Sequence, residues 1–217
     1  MKKIKKTNLP STLDKCEDFF EYANQCMYLD EDLANLHIEK SEVYEDAFDK
    51  LYFENVIFDQ CDFSEVSMKK CSFKNVLFDS CSFVNCNFTG GWFNQCEIKG
   101  SRFKGCNFSD SVLTDITTLD SNFRYSDFSK TDFQRTLISN SDFSEVFFAN
   151  SSFKNFYIED TKLTRAEFFQ TSLSEIDLSS CSIEGIRVSD NFYELRGALV
   201  NMYQAADLAK LLGVRIK

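Results

Sequence analysis

Residues 121–153 read SNFRYSDFSKTDFQRTLISNSDFSEVFFANSSF, and in this stretch a large apolar residue returns at every fifth position. The same phase holds from Phe48 to Val188, where only Thr118 among 29 positions lacks a large apolar side chain. Chance does not produce this regularity in a chain that is 43% apolar. A period of five fits neither a helix, at 3.6 residues per turn, nor a strand, which alternates every two. The pattern predicts a repeat architecture with one structural unit per pentad.

The large apolar positions form one lane of the repeat. A second lane, of mainly small residues, lies two positions before each large apolar residue. It contains Cys61, Ser101, Thr131 and Ala166, and all nine cysteines of the chain share its phase. No Cys-x-x-Cys pair, the spacing typical of zinc sites, occurs. We expect both lanes to point into a core in which the cysteines act as small apolar groups. Unpaired thiols favour a reduced, cytoplasmic compartment.

The pentads resemble those of the pentapeptide-repeat family, whose consensus is Ala-(Asp/Asn)-(Leu/Phe)-X-X. The matching segments include SDFSK at 126–130 and SDFSE at 141–145. The resemblance implies an all-β solenoid, a right-handed quadrilateral β-helix with one pentad per side and four per coil. At a strand spacing of ~4.8 Å, about seven coils give a rod about 35 Å long. No pentad buries its apolar face alone, so stacking of the coils must make the core.

The two ends are expected to close the rod. Residues 1–10 are basic and are expected to be disordered. Residues 11–23 are predicted to form an N-terminal capping helix, because Ser11 and Asp14 form a weak capping box and apolar residues recur at helical spacing. The expected organisation is a basic tail and capping helix at 1–31, a pentapeptide-repeat β-helix at 32–191, and a last coil, C-terminal helix and dimerisation segment at 192–217.

The C-terminal tail carries a second resemblance. After Val188 the phase shifts by two, so that Leu195 and Val200 become the centres of pentads. Residues 197–205 then resemble the tail of Qnr-type pentapeptide-repeat proteins, which reads Gly-Val-x-Leu-(Asp/Asn)-x-x-Gln-Ala. Gly213 is a suitable residue to end a final helix. Qnr-type proteins shield DNA gyrase and topoisomerase IV from quinolones.

In that family the tail caps the rod and joins two subunits tail to tail, an isologous contact. The resemblance implies a homodimer. The residues expected to make the cap and dimer contacts are Leu199, Met202, Tyr203, Leu208, Leu211, Leu212 and Val214.

The chain also departs from part of that family. Qnr proteins of Gram-negative bacteria carry two loops that interrupt the pentads, whereas here the phase is unbroken from Phe48 to Val188. The chain is more similar to the loop-free members from Gram-positive bacteria and mycobacteria. Since the loops assist protection in members that have them, the resemblance supports topoisomerase binding more strongly than protection.

One side of the predicted rod concentrates negative charge. With four pentads per coil, residues twenty apart share a side, and the side centred on Phe58 and its equivalents carries seven acidic residues against Lys99 alone. The acidic residues are Asp59, Asp79, Glu97, Asp120, Glu159, Asp160 and Asp177, and the outward apolar residues among them are Ile57, Leu77, Leu137 and Tyr157. We call this side the acidic face.

The acidic face allows two interpretations of about equal weight. Its carboxylates imitate DNA phosphates and occupy the basic, DNA-binding saddle of a topoisomerase, with the apolar residues adding affinity on burial. Alternatively, the acidic residues keep the rod soluble, and the outward aliphatic residues stabilise the ladders between coils.

The remaining features favour a binding function. A formal net charge of −10 argues against binding a nucleic-acid backbone. The sequence contains no run of 18 apolar residues, so it predicts no membrane span. The basic start is not followed by the apolar region of a signal peptide. His37 is the only histidine, and no Ser-His-Asp set or phosphate-binding loop is present. We therefore expect no enzyme activity, cofactor, metal or small-molecule substrate. The leading hypothesis is a DNA-mimicking protein that modulates gyrase or topoisomerase IV, and the alternative is a scaffold β-helix with another protein partner.

Overall fold

The computed structural model describes residues 4–211 and 213–215. The chain forms a parallel β-solenoid of about seven turns with a helix near each end, which confirms the predicted fold class. The elements in chain order are β1 (Asp14–Cys16), α1 (Phe19–Leu29), β2 (Leu33–Glu39), β3 (Glu42–Tyr44), β4 (Tyr52–Asp59), β5 (Asp62–Ser64), β6 (Ser72–Asp79), β7 (Ser82–Val84), β8 (Trp92–Lys99), β9 (Arg102–Lys104), β10 (Val112–Leu119), β11 (Asp132–Ser139), β12 (Ser152–Glu159), a 3-10 turn (Tyr193–Leu195) and α2 (Met202–Leu211).

The strands stack in register, coil upon coil. An eight-stranded parallel sheet has the order β1-β2-β4-β6-β8-β10-β11-β12, and a four-stranded sheet has the order β3-β5-β7-β9. From β4 to β12 the residues paired in neighbouring strands are twenty apart, as Phe53 pairs with Phe73 and Phe73 with Phe93. Isolated bridges from Ala47 to Arg187 continue the same spacing on another side. The prediction that residues twenty apart share a side is confirmed.

The corners of the coils use left-handed backbone. From Asp30 to Glu175 every fifth residue has a positive φ, as at Asn75 (57°) and Gly105 (67°). This region costs energy for most side chains and is best tolerated by Gly, Asn and Asp. The corner N–H groups donate to carbonyls of the next coil, as from Gln60 to Asp79 at 2.9 Å. These bonds hold the chain in its corners even where Lys, Glu or Arg occupies one.

The large apolar lane forms stacks of aromatic rings. In one stack Phe63, Phe83, Phe103 and Phe123 have successive centroid distances of 4.9, 4.6 and 5.1 Å. The rings are nearly parallel and separated by about the strand spacing. Where phenylalanine occupies successive centres on one side of the rod, each ring therefore lies over the ring of the coil before.

The small lane supplies hydrogen bonds inside the core. The Cys71 thiol donates to the Phe48 carbonyl at 3.0 Å, and the Thr131 hydroxyl donates to the Phe108 carbonyl at 2.9 Å. Cys, Ser and Thr share this lane because each is short and carries a donor that reaches a carbonyl of the preceding coil. All nine cysteines are buried and free, which confirms their predicted place in the core.

The N-terminal cap differs in detail from the prediction. The helix spans Phe19–Leu29, so the prediction of a helix over 11–23 is wrong in its bounds. Asp14–Cys16 instead forms a strand against β2, because pairing with the exposed sheet edge outweighs a weak capping signal. The helix begins after Asp18, whose carboxylate accepts the N–H of Glu21 at 3.0 Å. The predicted capping role is correct, because the buried Phe19 ring seals the first coils.

The first residues of the chain also differ from the prediction. Residues 4–8 lie against the side of the rod and bond to its polar side chains, so the expected disorder of 1–10 is wrong for this part. The last coil agrees with the sequence. Leu199 bridges to Asp177, 22 residues away, and half-buried Leu195 and Val200 pack against the core. These contacts confirm the phase shift of two.

Candidate protein-binding surface

The acidic face exists as an aligned surface. Its outward apolar residues lie in one inter-coil ladder, in which Ile57 pairs with Leu77 and Leu137 pairs with Tyr157. All four side chains are half-buried along the ladder. Between them the same ladder passes through Glu97 and Thr117. The sequence therefore placed the apolar and acidic residues of this side together correctly.

Six of the seven acidic residues are exposed or half-exposed, in one group toward each end of the rod and at Asp120 between them. Asp59 and Asp79 are half-exposed toward the N-terminal end, and Glu159, Asp160 and Asp177 are exposed toward the C-terminal end. Asp120 is exposed between the two groups. Glu97, by contrast, is only 8% exposed. The face therefore presents carboxylates toward both ends of the rod and at Asp120, and only Glu97 among the seven is covered.

Local hydrogen bonds favour the charged form of two of these carboxylates. Hydrogen bonds from the hydroxyl and N–H of Ser179 lower the pKa of Asp177. Burial alone would raise the pKa of Glu97, but Lys99, at 2.7 Å, and Thr7 outweigh burial and lower it. Both groups are therefore negative at neutral pH.

Residues 4–8, which we call the strap, cover the centre of the face. The N–H groups of Lys5, Thr7 and Asn8 donate to Asp115, Glu97 and Asn75 at 3.1, 3.1 and 2.7 Å. Two amide side chains return bonds to strap carbonyls: Asn75 to Asn8 at 3.0 Å, and Gln95 to Lys6 at 3.1 Å. The Thr7 hydroxyl also donates to Glu97, at 2.6 Å. Of these six bonds, five use the strap backbone.

The corner under the strap is charged. Arg135 holds Asp115 with two bonds of 2.7 and 2.9 Å, and the Asp115 side chain is 2% exposed. Burial opposes ionisation of Asp115, but the bonds from Arg135 and from the Lys5 N–H keep its pKa below the ordinary value. The strap thus lies on an ionised carboxylate.

Polar side chains close the C-terminal end. Asn201 and Gln204 form a reciprocal capping box, with the Gln204 N–H donating to Asn201 Oδ1 at 3.0 Å and the Asn201 N–H to Gln204 Oε1 at 2.8 Å. The Gln204 amide also donates to the carbonyls of Leu178 and Cys181, at 2.8 and 2.7 Å. Gln204 therefore caps the start of the last helix and also donates hydrogen bonds to two carbonyls of the last coils.

A buried carboxylate supports the same end. Glu194 accepts the N–H of Gln170 at 2.9 Å and also bonds to Ser189. Burial would raise its pKa, but these hydrogen bonds lower it. The carboxylate holds the turn at which the phase of the pentads changes.

The predicted dimer contacts are mostly exposed. Met202 and Tyr203 are 75% and 77% exposed. Leu199, Leu211 and Val214 are also exposed. Leu208 is half-buried and packs on the core, so it belongs to the cap, and Leu212 lies outside the described residues. The structure leaves an apolar surface at this end.

Sequence reasoning missed the groups that hold the strap. Asn75, Gln95 and Asp115 are all corner residues, twenty apart, with side chains able to accept or donate. Their spacing was visible in the sequence. Nothing in residues 4–8, however, indicates a partner, because their contacts are made mostly by the backbone.

Within residues 4–211 and 213–215, no helix combines the length and apolar character needed to cross a membrane. Across the same residues, no group of three or more His, Cys, Asp or Glu side chains is placed to hold a metal ion.

Comparisons with known proteins agree with this architecture. Sequence profiles described as pentapeptide repeats match residues 53–97 (9 copies) and residues 81–116 and 120–155 (8 copies). No curated protein matches the sequence at a significant level.

Among solved structures, the chain is similar to trypsin-treated QnrB1, described as a plasmid-mediated fluoroquinolone resistance protein. The TM-score is 0.60 at 19% identity, over 84% of this chain and 90% of that one. HetL, a pentapeptide repeat protein involved in heterocyst differentiation regulation from the cyanobacterium Nostoc sp. strain PCC 7120, has a TM-score of 0.42 at 9% identity. That match covers 79% of this chain and 93% of HetL. At these identities the likeness to QnrB1 concerns the fold.

Proposed function

Since the chain belongs to the pentapeptide-repeat family, we propose that it works by binding a protein and not by catalysis. The proposed partner is DNA gyrase or topoisomerase IV. On this proposal the chain acts in the cytoplasm, modulates or inhibits the enzyme and lowers its sensitivity to quinolones. The observation that supports this most directly is the alignment of seven acidic residues on one side of the solenoid.

The electrostatics of the acidic face suit a DNA-binding saddle. A basic surface that holds duplex DNA attracts a rod whose carboxylates lie along one side, and complementary potential speeds such encounters. The half-buried Ile57, Leu77, Leu137 and Tyr157 add apolar contact area among the charges. The carboxylates are spaced more widely than DNA phosphates, so the shape of the rod must contribute.

The exposed C-terminal end supports a tail-to-tail homodimer. Tyr203 and Met202 are large, apolar and mostly exposed, although the helix that carries them is firmly seated by Gln204. A two-fold contact through this end would bury them and place two acidic faces along one longer rod. Tyr203→Glu should shift the chain to a monomer in sedimentation velocity, whereas Tyr28→Glu at the other end should not. A monomeric unmodified chain would refute the dimer.

Charge reversal tests the face. Asp59, Asp79, Asp120 and Asp177 would be changed together to Lys. The control changes Asp62, Glu65, Asp142 and Glu184, on a neighbouring side, and is matched because Asp142, like Asp177, accepts an N–H from the residue two positions later. We expect at least tenfold weaker binding to gyrase for the first set and less than threefold for the second. Equal losses would reject the face assignment.

A supercoiling assay tests the activity itself. Gyrase is titrated with the chain with and without ciprofloxacin. The proposal predicts reduced supercoiling at high concentration of the chain, or recovery of supercoiling in the presence of the drug. No change in either arm, for both gyrase and topoisomerase IV, would remove these enzymes as partners.

A scaffold function is the second candidate, and one observation favours it. The N-terminal cap exposes Phe20, Met27, Tyr28 and Leu29, with Tyr28 at 89%. This apolar group lies on α1, at the N-terminal end of the rod. If reversing the face leaves the biological effect intact while Tyr28→Ala abolishes it, the scaffold function is the better account.

A further inference from the structure

The strap occupies a corner of the rod that is built to hold an extended peptide. Asn75, Glu97, Asp115 and Thr117 belong to the outer surface of the solenoid, yet they are 9%, 8%, 2% and 8% exposed. At the same corner position, Asn55 and Asn155, which do not bond to the strap, are half-exposed. Burial is therefore deepest in the coils that the strap crosses, although Gln95, whose amide bonds to Lys6, stays half-exposed.

The spacing of the corner fits an extended chain. Asp115 and Asn75 are two coils apart, which is about 10 Å at the usual strand separation. Lys5 and Asn8, which bond to them, are three residues apart, and three extended residues also span about 10 Å. Each coil therefore presents a polar side chain where an extended backbone offers an N–H or a carbonyl.

Recognition at this corner depends little on the sequence of the occupant. Five of the six bonds to the strap use its N–H and carbonyl groups, and only the Thr7 hydroxyl contributes a side chain. Main-chain bonds of this type give affinity without restricting side chains. A different segment with the same extended backbone could make them.

Charge decides which segments are favoured. Asp115 and Glu97 lie in the corner, and each is paired at 2.7 Å with a cation, Arg135 and Lys99 respectively. Asp59 and Asp79 lie on the adjoining acidic face. The strap itself contributes Lys5 and Lys6, both exposed. Attraction to Lys5 adds to that of Arg135 in lowering the pKa of Asp115, so a cationic segment is favoured over an acidic one at this corner.

We propose that the corner lined by Asn75, Gln95, Glu97 and Asp115 is a docking groove for an extended, lysine- or arginine-rich segment of another protein, and that the strap occupies it in cis until such a segment displaces it. The groove adds a peptide-binding site to the rod. It does not depend on the identity of the partner, so it stands or falls separately from the topoisomerase proposal.

The test offers the groove a peptide in trans. The probe is a fluorescein-labelled peptide with the sequence of residues 1–12, MKKIKKTNLPST, and binding is followed by anisotropy. In the full chain, Lys5→Pro with Thr7→Pro removes two N–H donors and a hydroxyl from the strap and leaves the groove unchanged. We expect this released variant to bind the peptide at least tenfold more tightly than the unmodified chain, whose groove is filled. Equal binding to both chains would overturn the proposal.

A matched pair of groove variants localises the site. In the released variant, Asn75→Ala with Gln95→Ala should weaken peptide binding at least tenfold. The control is Asn85→Ala with Gln60→Ala, which removes the same residue types from left-handed corners elsewhere on the rod. Its binding should stay within twofold. Similar losses in both pairs would place the peptide elsewhere.

Two modified peptides test the mode of recognition on an unaltered groove, so that a misfolded variant cannot mimic the result. A peptide N-methylated at the positions of Lys5 and Thr7 lacks the donated N–H groups and should bind at least tenfold more weakly to the released variant. A peptide of scrambled order, with proline kept in place, should bind within threefold of the original. Undiminished binding of the methylated peptide, or loss of the scrambled one, would contradict recognition through the backbone.

Discussion

The two ends of the rod are closed by opposite chemistry. At the N-terminal end the Phe19 ring enters the core and lies 5.3 Å from Phe48 and 5.4 Å from Phe63. At the C-terminal end the Gln204 amide bonds to the carbonyls of Leu178 and Cys181. One closure is apolar and the other is a set of hydrogen bonds.

The difference follows from what each end exposes. The first coils are filled with phenylalanine, so an open end would expose aromatic rings, and only an apolar group removes that surface from water. The last coils have leucine and isoleucine at their centres, and the chain leaves them through a shifted phase that frees carbonyl groups. Buried carbonyls need donors. The type of residue that closes each end thus matches what the open end would expose: an apolar ring covers aromatic rings, and an amide donates to free carbonyl groups.

The largest expected effect is at the apolar end. Phe19→Ala should lower the free energy of unfolding by about 3–5 kcal/mol, because it removes a fully buried ring and leaves a cavity over the first coils. Urea denaturation followed by circular dichroism measures it. Phe20→Ala, at a position 46% exposed, should cost about 1 kcal/mol or less. Similar values for the two variants would show that Phe19 is not the seal.

A smaller effect is expected at the polar end. Gln204→Ala should lower the free energy of unfolding by about 1–3 kcal/mol, because two buried carbonyls lose their donor. Hydrogen exchange should show the loss concentrated in the last coil. Asp207→Ala, an exposed position on the same helix, serves as the control and should stay within about 0.5 kcal/mol. A Gln204→Ala variant as stable as this control would refute the polar closure.

The smallest effect concerns the small-residue lane, which lies in the core between the two ends. Burial raises the pKa of Cys71 and of Cys96 from 9.0 to about 12. Between these values the unfolded chain loses the thiol protons while the folded chain keeps them, so stability is intact below pH 9 and falls as the pH rises toward 12. At pH 10 the loss is about 1 kcal/mol per thiol.

Serine tests this prediction without disturbing the lane. Cys71→Ser with Cys96→Ser replaces two thiols of the small-residue lane by hydroxyls. In the same lane the hydroxyls of Ser101 and Ser111 already donate to backbone carbonyls. The double variant should lose less stability than the unmodified chain between pH 8 and pH 10 in urea titrations. Identical alkaline losses would show that these thiols are not the titrating groups.

The repeat region could be predicted almost completely from sequence. One inward residue per quarter-turn dictates the register of every coil, and the shift after Val188 appears in the structure as the bridge from Asp177 to Leu199. The N-terminal helix was misplaced because the Ser11 and Asp14 signal is local. The competing pairing of Asp14–Cys16 with β2 depends on a sheet edge that only the folded rod creates.

The candidate surfaces were only partly predictable. The sequence located the side that bears Asp59, Asp79 and Asp177, since this follows from the twenty-residue spacing. It did not indicate that Glu97 is covered, because the strap binds through its backbone and leaves no pattern of side chains. The sequence also did not indicate the role of Gln204. That role depends on the carbonyls of Leu178 and Cys181, which come within reach of its amide only in the folded chain.

On the proposed function, the acidic face takes the place of DNA on gyrase or topoisomerase IV. The most direct measurement is competition, with the chain immobilised, gyrase bound to it, and linear duplex DNA titrated in while release is followed by biolayer interferometry. If the chain and DNA share one site, DNA should displace gyrase from the chain in a concentration-dependent manner, and the fourfold lysine variant should capture little gyrase at the start. Gyrase that holds the chain and DNA together, with neither affinity changed by the other, would contradict it.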